Sequence, residues 1–342
     1  MQESIKIIPI NAEIYPVFYT MAQSTQWGNP MLPIEYNNKL WGDVIYRNDE
    51  IIGGWVGTIR GNIPIARIIT KSVYFDSCPI FINKSIDEEY RSLLVEYIKK
   101  HAMRDNIIML NLTHWVRDDN NFVDIKEKNA SFVTQLNTTE ESLWKQTESK
   151  QRNCIRKGEK SGVVFEVYKG QNALTYLDDF QRLRMLTQQH AISKNQQASM
   201  LLKSNKFFRS LFLSPTTTLF IGKIQDQVAT VALMIQSGQT VYYYSGGSNY
   251  ALNRTHCCSA LVIWKAICYY NQMGVRFFDM GGVPVNPNRE HPAYGVYAFK
   301  RSFGGEYMEF DGGKIIIAPF RYKLLQFILS QRKLLRFFST KI

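Results

Sequence analysis

Residues 276–311, RFFDMGGVPVNPNREHPAYGVYAFKRSFGGEYMEFD, constrain the fold more than any other stretch. Val275, Phe277 and Phe278 are β-formers that run into Asp279, and Gly281-Gly282 stops the run. Asn286, Pro287 and Asn288 allow neither a long helix nor a long strand. Tyr294 to Ser302 supplies a short apolar-basic helix that ends at Gly304-Gly305. A strand that stops at a glycine pair and opens into a polar loop is where α/β folds place ligands. The same pattern also serves an ordinary strand-helix-strand connection whose glycines only make turns.

The rest of the chain repeats this alternation. A strand at 5–10 and a helix over 12–23 precede a hairpin, DVIYRNDEIIGGWVGTI, turning at Asn48-Asp49-Glu50. Ser85 with Glu88 makes a capping box that opens a helix to about Asp105, and strands follow at 107–112 and 130–136. Thr138 and Glu141 make a second box, opening a helical, basic segment that ends at Gly162. The second half then runs strand (163–168), a helix capped by Asn172, a helix over 199–213, a hairpin turning at Gln225-Asp226-Gln227, a strand at 241–245, a helix over 256–273, and the strand leading into the opening stretch. The order of elements in the two halves is the same. The expected architecture is therefore α/β, with mixed sheets in two similar domains: 1–137, then a helical basic linker at 138–162, then 163–318, then a basic helix at 319–342.

The 342 residues suffice for one large or two average domains, and 45% apolar residues can bury a sizeable core. A formal charge of +12 favours an anionic partner without choosing among phosphorylated substrate, nucleic acid and acidic membrane. The five cysteines are odd in number and lack CxxC spacing, so neither a disulfide framework nor a zinc site is indicated, and no metal is expected. Glu3, Asn11 and Glu13 interrupt any N-terminal apolar core and no 18-residue apolar run occurs, so the chain reads as cytoplasmic.

Two segments carry a resemblance. The FemABX peptidyltransferases and their relatives, built from tandem GNAT (N-acetyltransferase-like) folds, commonly show a strand ending Asp-x-Gly-Gly, a loop, and Phe-Lys-x-x-Phe-Gly. Here these are Asp279, Gly281, Gly282, Phe299, Lys300, Phe303 and Gly304. The segment 150–162, KQRNCIRKGEKSG, resembles the family's basic R-x-x-I-R-K-A-x-K-x-G run. The resemblance implies tandem GNAT-like domains and an acyltransferase. It would pass an aminoacyl group from aminoacyl-tRNA, or an acyl group from acyl-CoA, to an amine of a cell-envelope precursor, with no tightly bound cofactor. The alternatives are an acetyl-CoA-dependent N-acetyltransferase acting on a sugar-linked precursor for surface polysaccharide, and a non-catalytic GNAT-derived binding module.

The resemblance places Lys300 by the transfer site with Phe299 beside it, and a cation there can stabilise a developing oxyanion. Asp279 is either a base for the attacking amine or the cap of the Gly281-Gly282 turn. His291 titrates at a useful pH, or is an exposed loop residue. Tyr242 and Tyr244 share one face of their strand, in the core or along a substrate channel. Arg152 and Arg156 share a helix face that could meet phosphates of tRNA or of a nucleotide-linked precursor.

Two departures stand out. The segment 248–260, where GNAT enzymes carry a glycine-rich pyrophosphate loop, has no glycine, although the Asn253–Thr255 amides could still bind an anion. Where the peptidyltransferases have T-x-x-R, this chain has TQQH, which puts His190 at the arginine's place. The tail carries six Lys/Arg and no acidic residue, with Leu324, Ile328, Leu335 and Phe338 near one face. It suits either peripheral contact with anionic membrane or docking on the second domain.

Overall fold

The computed structural model describes residues 4–29, 40–61, 70–113, 121–193 and 205–339. In chain order the elements of the first half are β1 (Ile5–Pro9), α1 (Ile14–Gln23), β2 (Leu40–Arg47), β3 (Glu50–Arg60), β4 (Ser72–Phe75), β5 (Ile80–Phe81), α2 (Lys84–Arg104), β6 (Met109–Leu112) and β7 (Ile125–Gln135). Then come α3 (Glu140–Gln146), α4 (Ser149–Lys160), β8 (Val164–Tyr168), α5 (Gly170–Leu174), α6 (Leu177–Ser193), α7 (Asn205–Leu213), β9 (Thr217–Ile224), β10 (Gln227–Ser237) and β11 (Thr240–Ser248). The last are α8 (Tyr250–His256), α9 (Cys258–Gln272), β12 (Phe277–Asp279), α10 (Tyr294–Arg301), β13 (Glu306–Ile316) and α11 (Pro319–Ser339). Part of the helix expected over 199–213 and the last three residues of the tail lie outside the described residues.

The chain divides into two compact units. One comprises residues 1–128 with 310–342, the other 129–309, so the division falls inside β7 and inside β13. In the first unit the strand order is β1-β2-β3-β4-β6-β13, with β5 on β3. All pairings are antiparallel except β4–β6. The core there forms around Trp55, Phe75, Leu94 and Ile98, where α2 lays its apolar face on the sheet. In the second unit the order is β7-β12-β11-β10-β9-β8, antiparallel except for β11–β12. Its core gathers Phe220, Trp264, Ile267 and Phe278 beneath α9. The α/β mixed-sheet class expected from the sequence is thus the class observed.

Both capping boxes are displaced. Asn83, not Ser85, caps α2, its side-chain oxygen accepting from the Ile86 N–H at 3.0 Å. Thr139, not Thr138, caps α3 through the Ser142 N–H at 3.2 Å. The helix expected over 256–273 starts two residues later, as α9, because Cys257 adopts a left-handed conformation (φ 55°); before it stands α8, a second short helix where the sequence suggested a loop. The helix assigned to the Asn172 cap is also two: α5 starts before that residue, at Gly170, and α6 follows. Helices α3 and α4, read from the sequence as linker, belong to the second unit. There Gly158 of α4 lies close enough to α9 that a Cβ would stand 3.0 Å from the Leu261 Cβ.

Candidate functional site

The site grows from the mismatch in length between two parallel strands of the second unit. β11 pairs with β12 only over Thr240–Tyr242, because β12 stops at Asp279. Residues 243–248 of β11 therefore continue with no β12 partner along that edge. The stop is enforced at Gly281, whose φ of 75° suits glycine and where a Cβ would press to 2.8 Å from the Tyr243 carbonyl oxygen. Asp279 holds the turn. Its carboxylate is buried, accepts the Gly281 N–H at 2.7 Å and accepts the Ser131 hydroxyl.

Helix α10 then returns over the turn. It ends at Gly304, where φ is 88° and a Cβ would collide with the Gln146 carbonyl at 2.3 Å. The short helix delivers Lys300, whose Nζ donates to the Gly282 carbonyl at 3.1 Å and stands 5.7 Å from the centroid of the Tyr243 ring. Phe299 packs edge-on against Phe303 at 5.2 Å. From the other side α6 presses on β11. At Gly247 a Cβ would sit 2.5 Å from the Arg184 backbone nitrogen, so only glycine lets the helix approach this closely. This brings His190, in the last turn of α6, into the site, stacked on Tyr250 with ring centroids 3.9 Å apart.

The result is a cavity of about 420 Å³ lined by His190, Tyr243, Asn253, Ser259, Phe299 and Lys300, with backbone of Gly246–Ser248 along one wall. Burial pushes the Tyr243 phenol up to about 12, so its hydroxyl stays protonated and able to donate at neutral pH. None of the described lining residues is acidic. A cation and a protonated phenol suit a site that receives negative charge developing on a carbonyl oxygen.

Of the residues singled out from the sequence, the structure brings Lys300, Phe299 and His190 together in the cavity, with Gly281 and Gly282 under the lysine. The others stand elsewhere. Asp279 is the brace of the turn. His291 is exposed and its Nδ1 accepts the Ala293 N–H at 3.1 Å. Tyr242 is fully buried in register with Asp279. The Tyr242–Tyr244 grouping assumed strict alternation, but a bulge between the Leu233–Ser245 and Met234–Tyr243 pairs interrupts it. Tyr243 is the tyrosine that faces the cavity.

Arg152 spans from α4 to the end of α3, donating to the carbonyl of Thr147 at 2.6 Å and to those of Trp144 and Lys145 at 3.3 Å. Arg156 stands 5.2 Å over the Trp144 ring. Both arginines tie α4 to α3.

Sequence reasoning missed Tyr243 and Ser259, and singled out Asn253 only for its backbone. The Gly246-Gly247 pair after the tyrosines was the available signal, since adjacent glycines late in a strand mark close backbone approach. Of the amides proposed as an anion cradle, that of Asn253 is taken. The Asn253 N–H donates to the Asn249 carbonyl at 2.9 Å, and the Asn249 side chain accepts from Ala251 and Leu252. The Asn253 side chain accepts from the Ser259 N–H, at the start of α9, at 2.8 Å.

The comparisons bear on fold and lineage. Residues 216–330, which contain the whole cavity wall from β10 through α10, match the FemAB family. The crystal structure of FemX superposes with a TM-score of 0.70 at 14% identity, covering 93% of this chain and 99% of that one. The C-terminal domain (DUF2156) of a putative lysylphosphatidylglycerol synthetase from Agrobacterium fabrum gives 0.55 at 12% identity, covering 92% and 98%. L-PGS from Bacillus licheniformis gives 0.54 at 8% identity, covering 89% and 90%. No curated protein sequence matches the chain. The fold is similar to that of FemX over nearly the whole chain, an α/β fold with mixed sheets.

Proposed function

We propose that this chain, whose residues 216–330 match the FemAB family, is a GNAT-type transferase that moves an aminoacyl or acyl group onto an amine of a cell-envelope precursor. One observation carries the reading: Lys300 is held between the Gly282 carbonyl and the Tyr243 ring, at the wall of a cavity that opens where β12 ends. In the proposed reaction the amine nitrogen attacks the donor carbonyl carbon and an N–C bond forms. The carbonyl oxygen becomes an oxyanion within reach of the Lys300 ammonium, the ester C–O bond breaks, and the proton shed by the amine ends on the leaving alcohol. Positioning contributes most of the acceleration, because a free amine and an activated ester react readily once aligned. His190 is the other lining side chain that can relay that proton.

The occupied amides at 249–259 favour an aminoacyl ester over acyl-CoA as donor. A CoA pyrophosphate binds through unsatisfied N–H groups at a helix start. Here the Asn249 and Asn253 side chains already take the Ala251, Leu252 and Ser259 amides. The test is a donor screen: purified protein with charged tRNA, acetyl-CoA and longer acyl-CoAs, each with amine-bearing envelope precursors, following amide formation. Turnover with charged tRNA that collapses in Lys300→Ala is the expected result. Turnover with acyl-CoA alone would overturn the donor assignment. Donor binding without turnover, unchanged by Lys300→Ala, would make the chain a binding module.

A further inference from the structure

Helix α11 leaves an apolar stripe in solvent. Phe320 is 81% exposed, Phe327 61% and Leu324 41%, and their spacing of i, i+4, i+7 puts all three on one side of the helix. The opposite side meets the first unit: Tyr322, Leu325 and Ile328 are half-buried, and Arg321 reaches the Asn106 carbonyl at 3.5 Å. The face the sequence suggested is therefore rotated, since Ile328 lies toward the protein while Phe320 and Phe327 do not. Exposed phenylalanines one and two turns apart on a docked helix call for a covering partner.

The charge pattern says which partner. Residues 319–342 contain Arg321, Lys323, Arg332, Lys333, Arg336 and Lys341 and no Asp or Glu. A second copy of the chain would set these cations against one another, whereas an anionic surface would pair with them. Among the described residues no helix is long and apolar enough to cross a membrane. We infer that α11 lies in the plane of an anionic phospholipid surface, with Phe320, Leu324 and Phe327 inserted below the headgroups and the segment's net positive charge drawn to the phosphates. The aliphatic stems of Lys and Arg suit this position, because they cover apolar surface while the charge stays at the phosphates. This inference stands on the helix alone and does not require the transfer reaction.

The test is flotation of the full chain with vesicles of phosphatidylcholine, and of phosphatidylcholine with phosphatidylglycerol. The protein should float only with the anionic vesicles and come off as salt rises, because the cations are screened. Phe320→Ser with Phe327→Ser should weaken binding by at least about tenfold. Its melting temperature should not move, because both side chains are exposed. Lys323→Gln, Lys333→Gln and Arg336→Gln together should weaken binding by roughly a hundredfold, at about fivefold per cation.

Absence of binding to the anionic vesicles overturns the inference, and so does a phenylalanine variant that binds like the parent. A concentration-dependent dimer in sedimentation equilibrium, lost in the phenylalanine variant, also overturns it and assigns the stripe to a second copy.

Discussion

The two units build their hairpins alike and diverge at the strand after the long helix. Asn48-Asp49 (φ 51° and 66°) and Gln225-Asp226 (φ 47° and 63°) make the same left-handed two-residue turn. Each hairpin carries a bulge, between Ile45 and Tyr46 in the first and between Val228 and Thr230 in the second. Each unit then runs a helix into a strand that pairs in parallel with an earlier one. In the first unit, β6 holds four residue pairs with β4, and the Thr113 N–H and hydroxyl extend the attachment to Phe75 and Asp76. In the second, β12 holds three pairs and is stopped by the glycine turn that seats Lys300.

The cavities differ in kind as well. That of the first unit, about 520 Å³, has its Arg91 clasped by Asp87 through two hydrogen bonds. That of the second places its lysine over a carbonyl and a phenol ring. The repeated frame supports both units, and the cavity that holds Lys300 opens where one strand ends early.

If the first unit contributes frame rather than charge stabilisation, its polar core should matter for stability. His101 is buried on Asp43, Nδ1 to Oδ2 2.8 Å, with Nε2 3.5 Å from Asp105. His101→Ala strands the buried Asp43 carboxylate and should cost about 3 kcal/mol. Thermal unfolding should fall by roughly 6–12 °C. Turnover per folded molecule should stay near the parent value. A specific loss of turnover in folded His101→Ala would break the division of labour.

Gly304→Ala sharpens it from the other side. The added Cβ meets backbone at the Gln146 carbonyl, and the residue must keep a positive φ. A cost of about 2 kcal/mol is expected from the strained backbone and the forced shift, together with lost turnover because α10 moves with its lysine. An unchanged melting curve would show that the glycine is dispensable.

The smallest effect belongs to Arg152→Ala. Its three carbonyl contacts close the end of α3, so about 1 kcal/mol of stability is expected to go. Affinity for tRNA should not fall specifically. A selective loss of tRNA binding at unchanged stability would restore the phosphate-contact reading of that face.

Much of this was legible because it is local. The hairpins announce themselves in turn residues between β-formers, and the order of elements repeats without any repeat in residues. The DMGG and FKRSFGG segments were legible as sharp turns because glycine is the residue such turns need.

What was not legible is set by tertiary contacts. Tyr243 faces the cavity opposite buried Tyr242, and a bulge at Tyr244 breaks the alternation that grouped Tyr242 with Tyr244; no property of three consecutive tyrosines encodes that bulge. Arg152 looked like a phosphate ligand because helical spacing shows a shared face and not what covers it. Asn253 looked like backbone available to an anion, yet its N–H already donates to the Asn249 carbonyl.

The central claim is that the second unit's cavity stabilises the transfer oxyanion through Lys300. The most direct test is single-turnover amide formation by Lys300→Ala and Lys300→Arg, with melting curves taken in parallel. Lys300→Ala should lose about two to three orders of magnitude in rate, with its melting temperature within about 2 °C of the parent, as expected for a half-exposed lysine. Lys300→Arg should recover only part, because a planar guanidinium cannot occupy the same point over Gly282. Near-full turnover by Lys300→Ala on the productive donor and acceptor would contradict the account.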